Sequence, residues 1–173
     1  AFEGYLPFIA SLIVLHASTI VILQLPLASA LSSVSLNTKI YLGSALLILG
    51  EAGFALAAHN YDIKALWYGA VLLMSISQTL LFPCINMFVD SLAPPNLRGA
   101  YFGAASLYSI GFSLSPIVGG LFIQNLSGTA LYIFLTLSSL LMTLIFMGIF
   151  RQRKITDETV SSVANIETSP TAG

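Results

Sequence analysis

The apolar residues of this chain lie in long runs broken by short polar segments. Five runs stand out: Phe8 to Ala30, Thr38 to His59, Ala65 to Val89, Ala100 to Leu126 and Ala130 to Phe150. Each is long enough for the hydrocarbon core of a bilayer, which takes about 20 helical residues. Lipid offers no partner to a backbone amide or carbonyl, so runs of this kind must be helices that satisfy their own polar groups. The pattern predicts an all-α fold, a polytopic transmembrane bundle over residues 8–154 with spans at 8–30, 38–59, 65–89, 100–126 and 130–150. Residues 1–7 would form an extracytoplasmic segment. Beyond Lys154 the chain turns polar, with Asp157, Glu158, Ser161, Ser162 and Glu167, and 155–173 reads as a disordered cytoplasmic tail. The connections between spans are short, as expected of bundled helices.

Composition strengthens the membrane reading. Hydrophobic residues make up 57% of the 173, charged residues 8%, and the mean hydropathy is +0.92. A soluble domain carries about 25% charged residues, and a chain so poor in charge could not cover its own surface in water. The formal charge is −1 with six Lys and Arg in all, which offers no basic patch for a nucleic acid. Cys84 is the single cysteine, so neither a disulfide framework nor metal-ligand spacing is present. The start, Ala1-Phe2-Glu3-Gly4, lacks both a methionine and the basic region of a signal peptide, and points to a fragment or a processed piece.

The connecting segments set an expected orientation. Lys39, Arg98, Arg151, Arg153 and Lys154, five of the six basic residues, fall on one side. The other side holds Glu3, the turn Asn60 to Lys64 and Ser127-Gly128. The positive-inside rule makes the basic side cytoplasmic, with the N-terminus outside.

Three stretches carry a family resemblance. Leu23-Gln24-Leu25-Pro26-Leu27-Ala28 resembles the end of the eighth helix of major facilitator superfamily transporters. The segment Asp90 to Gly103, with Asp90, Arg98, Gly99 and Gly103, is similar to the loop between that family's tenth and eleventh helices. Gly111-Phe112-Ser113-Leu114-Ser115-Pro116-Ile117-Val118-Gly119-Gly120 resembles the glycine-proline motif of its antiporters, here in the pseudo-symmetric mate of the fifth helix. The resemblance runs from about Phe8 to Arg151 and points to the proton-coupled drug-efflux branch. It departs at Ala30 to Ser35, where the family's loop charges are missing, and at Ser115, where the motif has glycine. It implies a C-terminal half with five of six helices in an integral plasma or inner membrane protein. The partners it implies are a missing N-terminal half, a small-molecule substrate and protons, with no cofactor.

Candidate chemistry follows from polar groups inside the spans. Ionisable residues in a membrane are expensive and therefore functional candidates. His16 and Glu51 each lie eight residues from the outer end of their span, about 12 Å deep, at matched depths where the two could meet. They are either a proton-coupling pair or a structural hydrogen bond. Ser75, Gln78, Phe82 and Asn86 share one helical face. That face, together with Gln24, is expected to line a substrate cavity or to hold helices together. Gly111, Ser115 and Gly119, four apart and joined by Pro116 and Gly120, form a helix-packing motif in which Pro116 is a candidate bend. Asp90 and Arg98 face each other across a loop in which Pro94-Pro95 stop one helix and Asn96 is placed to cap the next. They are either part of a gating clasp, paired with each other or with charges on the missing half, or two solvated charges. No nucleophile elbow, zinc-binding His-Glu-x-x-His or phosphate-cradling loop occurs, which argues against an enzyme. The leading expectation is a proton-coupled exporter of small apolar compounds working by alternating access. Its rival is a non-transporting helical module for assembly or reception.

Overall fold

The structure, a computed structural model, describes the backbone of residues 5–168 and side chains as far as Gln152. Glu3 and the rest of residues 1–4 lie outside the described residues, as do 169–173. The described backbone is helical with short turns: α1 Leu6–Ala30, α2 Leu36–His59, α3 Lys64–Leu92, α4 Arg98–Ala105, α5 Tyr108–Asn125 and α6 Gly128–Thr168. Taking α4 and α5 together as Arg98–Asn125, and α6 over Gly128–Gln152, five helical segments are long and apolar enough to cross a membrane.

Local chemistry sets most of the helix ends. Pro7 stands in the first turn of α1, where its missing amide hydrogen costs nothing. Ser35 begins α2 by accepting a bond from the Thr38 amide at 3.3 Å, a serine N-cap. At its other end the Asn60 side chain bonds the Leu56 carbonyl at 3.0 Å. The helix α3 stops at Ala93, in extended backbone directly before Pro94. Asn96 does not cap α4. Leu97 occupies that position without a side-chain cap bond, because the turn closes through its backbone, Leu97 N–H to the Pro94 carbonyl at 2.9 Å.

Two outcomes differ from expectation. The fourth span is interrupted at Ser106–Leu107, where bonds run to the third residue back, Leu107 to Ala104 and Ile110 to Leu107, each at 3.1 Å. This is a tightened 3₁₀ turn within a helical run. Hydroxyls on either side compete for its carbonyls: Ser106 bonds Gly103 at 2.6 Å and Ser109 bonds Ser106 at 2.7 Å. The second difference is at the tail, expected to be disordered from 155, where the backbone stays helical to Thr168. No glycine or proline interrupts Arg151–Thr168, and extending a formed helix costs far less than starting one.

The core lies where α2 and α3 meet, with α1 against α3 and α6 against α2. Two apolar clusters occupy its ends. Ile40, Cys84, Phe88 and Phe150 form one, and Phe54, Ala70 and Val71, packed by Leu12, Trp67 and Tyr132, form the other. Along α2 they are about 21 Å apart, from Ile40 to Phe54 at 1.5 Å per residue. Small residues bring the two central helices close. A Cβ on Gly50 would sit 3.0 Å from the Met74 backbone nitrogen, and one on Gly43 would sit 2.7 Å from Leu81 Cγ. By contrast α4 and α5 contain no buried residue.

Candidate functional site

Between the two apolar clusters lies a belt of buried polar groups: Ser44 and Glu51 on α2, Ser75 and Ser77 on α3, Ser139 on α6. In a membrane interior each must find a partner within the protein or remain costly. Several find one on a neighbouring helix. Ser77 Oγ donates to the Gly43 carbonyl at 2.7 Å. Ser75, with no exposed surface, meets His16 Nδ1 at 2.8 Å. Nearer the start of α1, the Ser11 and Tyr68 hydroxyls are 2.7 Å apart. The spine α3 is thus bonded to α1 twice and to α2 once.

His16 and Glu51 do not pair. His16 turns to Ser75 on α3, whereas Glu51, 8% exposed, has the Ser139 hydroxyl of α6 as its hydrogen-bond partner. Among the described residues the ion pair within 4 Å is Asp90 with Arg98. The two side chains leave their helices towards different neighbours. Glu51 Oε2 and Ser44 Oγ are buried without a hydrogen-bond partner among the described residues. Among the described residues no Lys, Arg or His nitrogen lies within 4 Å of the Glu51 carboxyl.

The expected cavity face divides. Gln24 of α1 lines a pocket of about 310 Å³ together with Lys39 of α2 and Thr79, Pro83, Cys84 and Met87 of α3. Gln78 and Asn86 do not line it. Gln78 is half-buried, and Asn86 is exposed with its amide 3.5 Å from the Phe82 carbonyl. Ser75, expected on the same face, faces α1 instead.

Asp90 and Arg98 are in contact with each other: Arg98 Nε lies 3.3 Å from Asp90 Oδ1, both half-exposed. Around Gly99, Gly103, Gly111, Gly119 and Gly120 there is open space where a Cβ would stand. Ser115 bonds its own helix, at the Phe112 carbonyl, 2.8 Å. Pro116 lies within α5, while the irregularity of the span falls ten residues earlier, at Ser106. Reasoning from sequence missed Ser77, Ser139 and Ser44. A single serine in an apolar run carries no signal of which helix it will meet.

Bundled apolar helices with polar groups held at mid-depth make this an integral membrane protein. Along most of its length the chain is similar to transporters of the major facilitator superfamily type. It is 28% identical over 158 residues to the uncharacterized MFS-type transporter YqjV of Bacillus subtilis (strain 168), covering 90% of this chain and 37% of that protein. To the uncharacterized MFS-type transporter YdeE of Escherichia coli (strain K12) it is 24% identical over 129 residues, 75% of this chain and 32% of the relative. A second Bacillus subtilis protein, the uncharacterized MFS-type transporter YhjO, is 27% identical over 132 residues, with shares of 76% and 32%. The chain thus spans about a third of the length of the curated relatives it matches. No family model and no solved structure matches it.

Proposed function

We propose that this chain is the C-terminal part of a secondary transporter of the major facilitator superfamily, a proton-coupled exporter of small apolar compounds. The observation that carries the reading is the similarity to YqjV, a protein named as an MFS-type transporter, over 90% of the chain. In this reading the five spans lie in the plasma or inner membrane with the N-terminus outside and the C-terminus in the cytoplasm. The N-terminal half of the transporter completes the substrate path, and rocking of the two halves alternates access.

The residues then take roles that their surroundings support. Gln24, in an otherwise largely apolar pocket, serves as a polar contact for a small apolar substrate, a few placed polar groups in an apolar wall being how such sites achieve orientation. Gln78 and Asn86 extend that face towards the absent half. Glu51 takes up and releases the coupling proton, its free Oε2 being the atom that binds it, and Ser139 holds the carboxyl in place. His16, bonded to Ser75 of α3, is not a direct partner of Glu51. Asp90 and Arg98 form a cytoplasmic clasp that opens during exchange.

The test uses the full transporter in proteoliposomes with an imposed pH gradient and an apolar dye as cargo. Glu51→Gln is expected to abolish gradient-driven movement while expression and helical content persist. Undiminished, gradient-dependent transport in that variant would remove Glu51 from the coupling role. A wild type indifferent to the gradient would overturn proton coupling itself.

A further inference from the structure

A second pocket, of about 290 Å³, opens between α1, α2, α3 and α6, well away from Gln24. His16, Phe54, Trp67, Met74 and Tyr132 are among its walls, and none of its lining residues is Asp, Glu, Lys or Arg. Phe54 stacks on Tyr132 with ring centres 5.0 Å apart and planes 16° from parallel, while Trp67 meets Phe54 edge-on at 6.1 Å. These contacts hold flat, rigid faces around the space.

The hydrogen bonds of His16 define what this pocket asks of an occupant. Ser75 has one hydroxyl proton, and it is directed at the Val71 carbonyl 2.6 Å away. Ser75 Oγ must then accept from His16 Nδ1, 2.8 Å distant, which puts an imidazole proton on Nδ1. In the neutral ring Nε2 is left with a lone pair, and it has no partner among the described residues. The other polar atoms of the walls, the Trp67 N–H and the Tyr132 O–H, are donors first.

We propose that this pocket binds a neutral, planar molecule of one or two rings that carries an O–H or N–H group, received by His16 Nε2. Aromatic walls favour a flat ring. The lack of a charged lining residue disfavours an ion, which would be desolvated without compensation. The volume stands at the low end of ligand pockets, about 300–1,000 Å³, and limits the occupant to one or two rings. An acyl chain could enter the same space but leaves Nε2 unmet, and this separates the two occupants by experiment. The site does not rest on the transport reading, because binding is measured on the chain itself.

Trp67 is the sole tryptophan of the chain and lines the pocket, so its fluorescence in lipid nanodiscs reports occupancy. Two quenchers of similar shape serve as probes, 4-nitrobenzyl alcohol with a donor and 4-nitrotoluene without one. Simple partitioning into lipid favours the second. The expected result is saturable quenching by the alcohol, at least tenfold tighter than by 4-nitrotoluene after correction for partitioning. His16→Leu should erase the preference, and His16→Gln, which keeps an acceptor, should restore part of it. If either variant loses its helical circular dichroism, the two probes on the unsubstituted chain decide the matter. Quenching by 4-nitrotoluene that equals or exceeds that of the alcohol, or quenching by the alcohol that rises linearly and ignores His16→Leu, would overturn the site and leave a lipid-filled groove.

Discussion

The paired helices α2 and α3 and the interrupted span α4–α5 use the same materials to opposite ends. Both are rich in glycine and serine. On α2 and α3 the small residues draw two backbones together, at Gly43 and Gly50; the Ser77 hydroxyl reaches across to α2, and Ser75, while donating to its own helix, accepts from His16 of α1. On α4 and α5 the glycines face open space, and Ser109, Ser113 and Ser115 bond carbonyls of their own span. A hydroxyl in an apolar medium takes the nearest acceptor, which is the carbonyl three or four residues back unless a neighbouring helix is close enough to compete. Small residues therefore permit close packing without compelling it. A facing helix decides which outcome is realised.

Glycine substitutions break this comparison most sharply. Gly50→Leu would drive a side chain into the Met74 backbone, which cannot swing aside, and should cost about 1–3 kcal/mol or more, measured as a lowered unfolding midpoint in detergent. Gly119→Ala on the same chain should be neutral or slightly stabilising, within about 0.5–1 kcal/mol, because alanine favours helix where space is open. If Gly119→Ala proved as damaging as Gly50→Leu, the two regions would not differ as described.

A finer test compares hydroxyls. Ser77→Ala removes a bond between helices and should lower stability by about 0.6 kcal/mol, in the range found for such bonds in membranes. Ser113→Ala removes a bond within one helix and should change thermal unfolding by less than about 0.3 kcal/mol. Equal losses would mean that crossing to another helix adds nothing.

The smallest effect on stability is expected at the junction of the two regions. Asp90 and Arg98 join the end of α3 to the start of α4 through a half-exposed contact, so Asp90→Arg or Arg98→Asp should shift unfolding by no more than about 0–1 kcal/mol. Transport by the full protein is the more sensitive measure. Each single reversal should impair it, and the double swap should recover part of the loss. Full activity in both single variants would leave the pair as solvated charges.

His16 and Glu51 show how far sequence reaches. Their common depth is legible, since each helical residue advances 1.5 Å, and so is the cost of placing them there. Their partners are not legible. A partner depends on the direction in which a side chain leaves its helix and on which helix stands in that direction. Here α1 lies on α3, so His16 finds Ser75, while Glu51 meets Ser139 because α6 lies on α2. Asp90 and Arg98 could be paired on paper because only a short loop separates them, so the range of their approach is limited before any packing is known.

Sequence by itself determined that the chain is a bundle of five apolar helical segments, because lipid leaves a backbone no other way to satisfy its hydrogen bonds. It also determined where the turns between those segments fall. The tertiary structure decided that the polar belt is held between two apolar clusters and that His16 borders an aromatic pocket. These are outcomes of which helix faces which. In an almost uniformly apolar helix the sequence pattern marks no single preferred face, and only contact with neighbours assigns one.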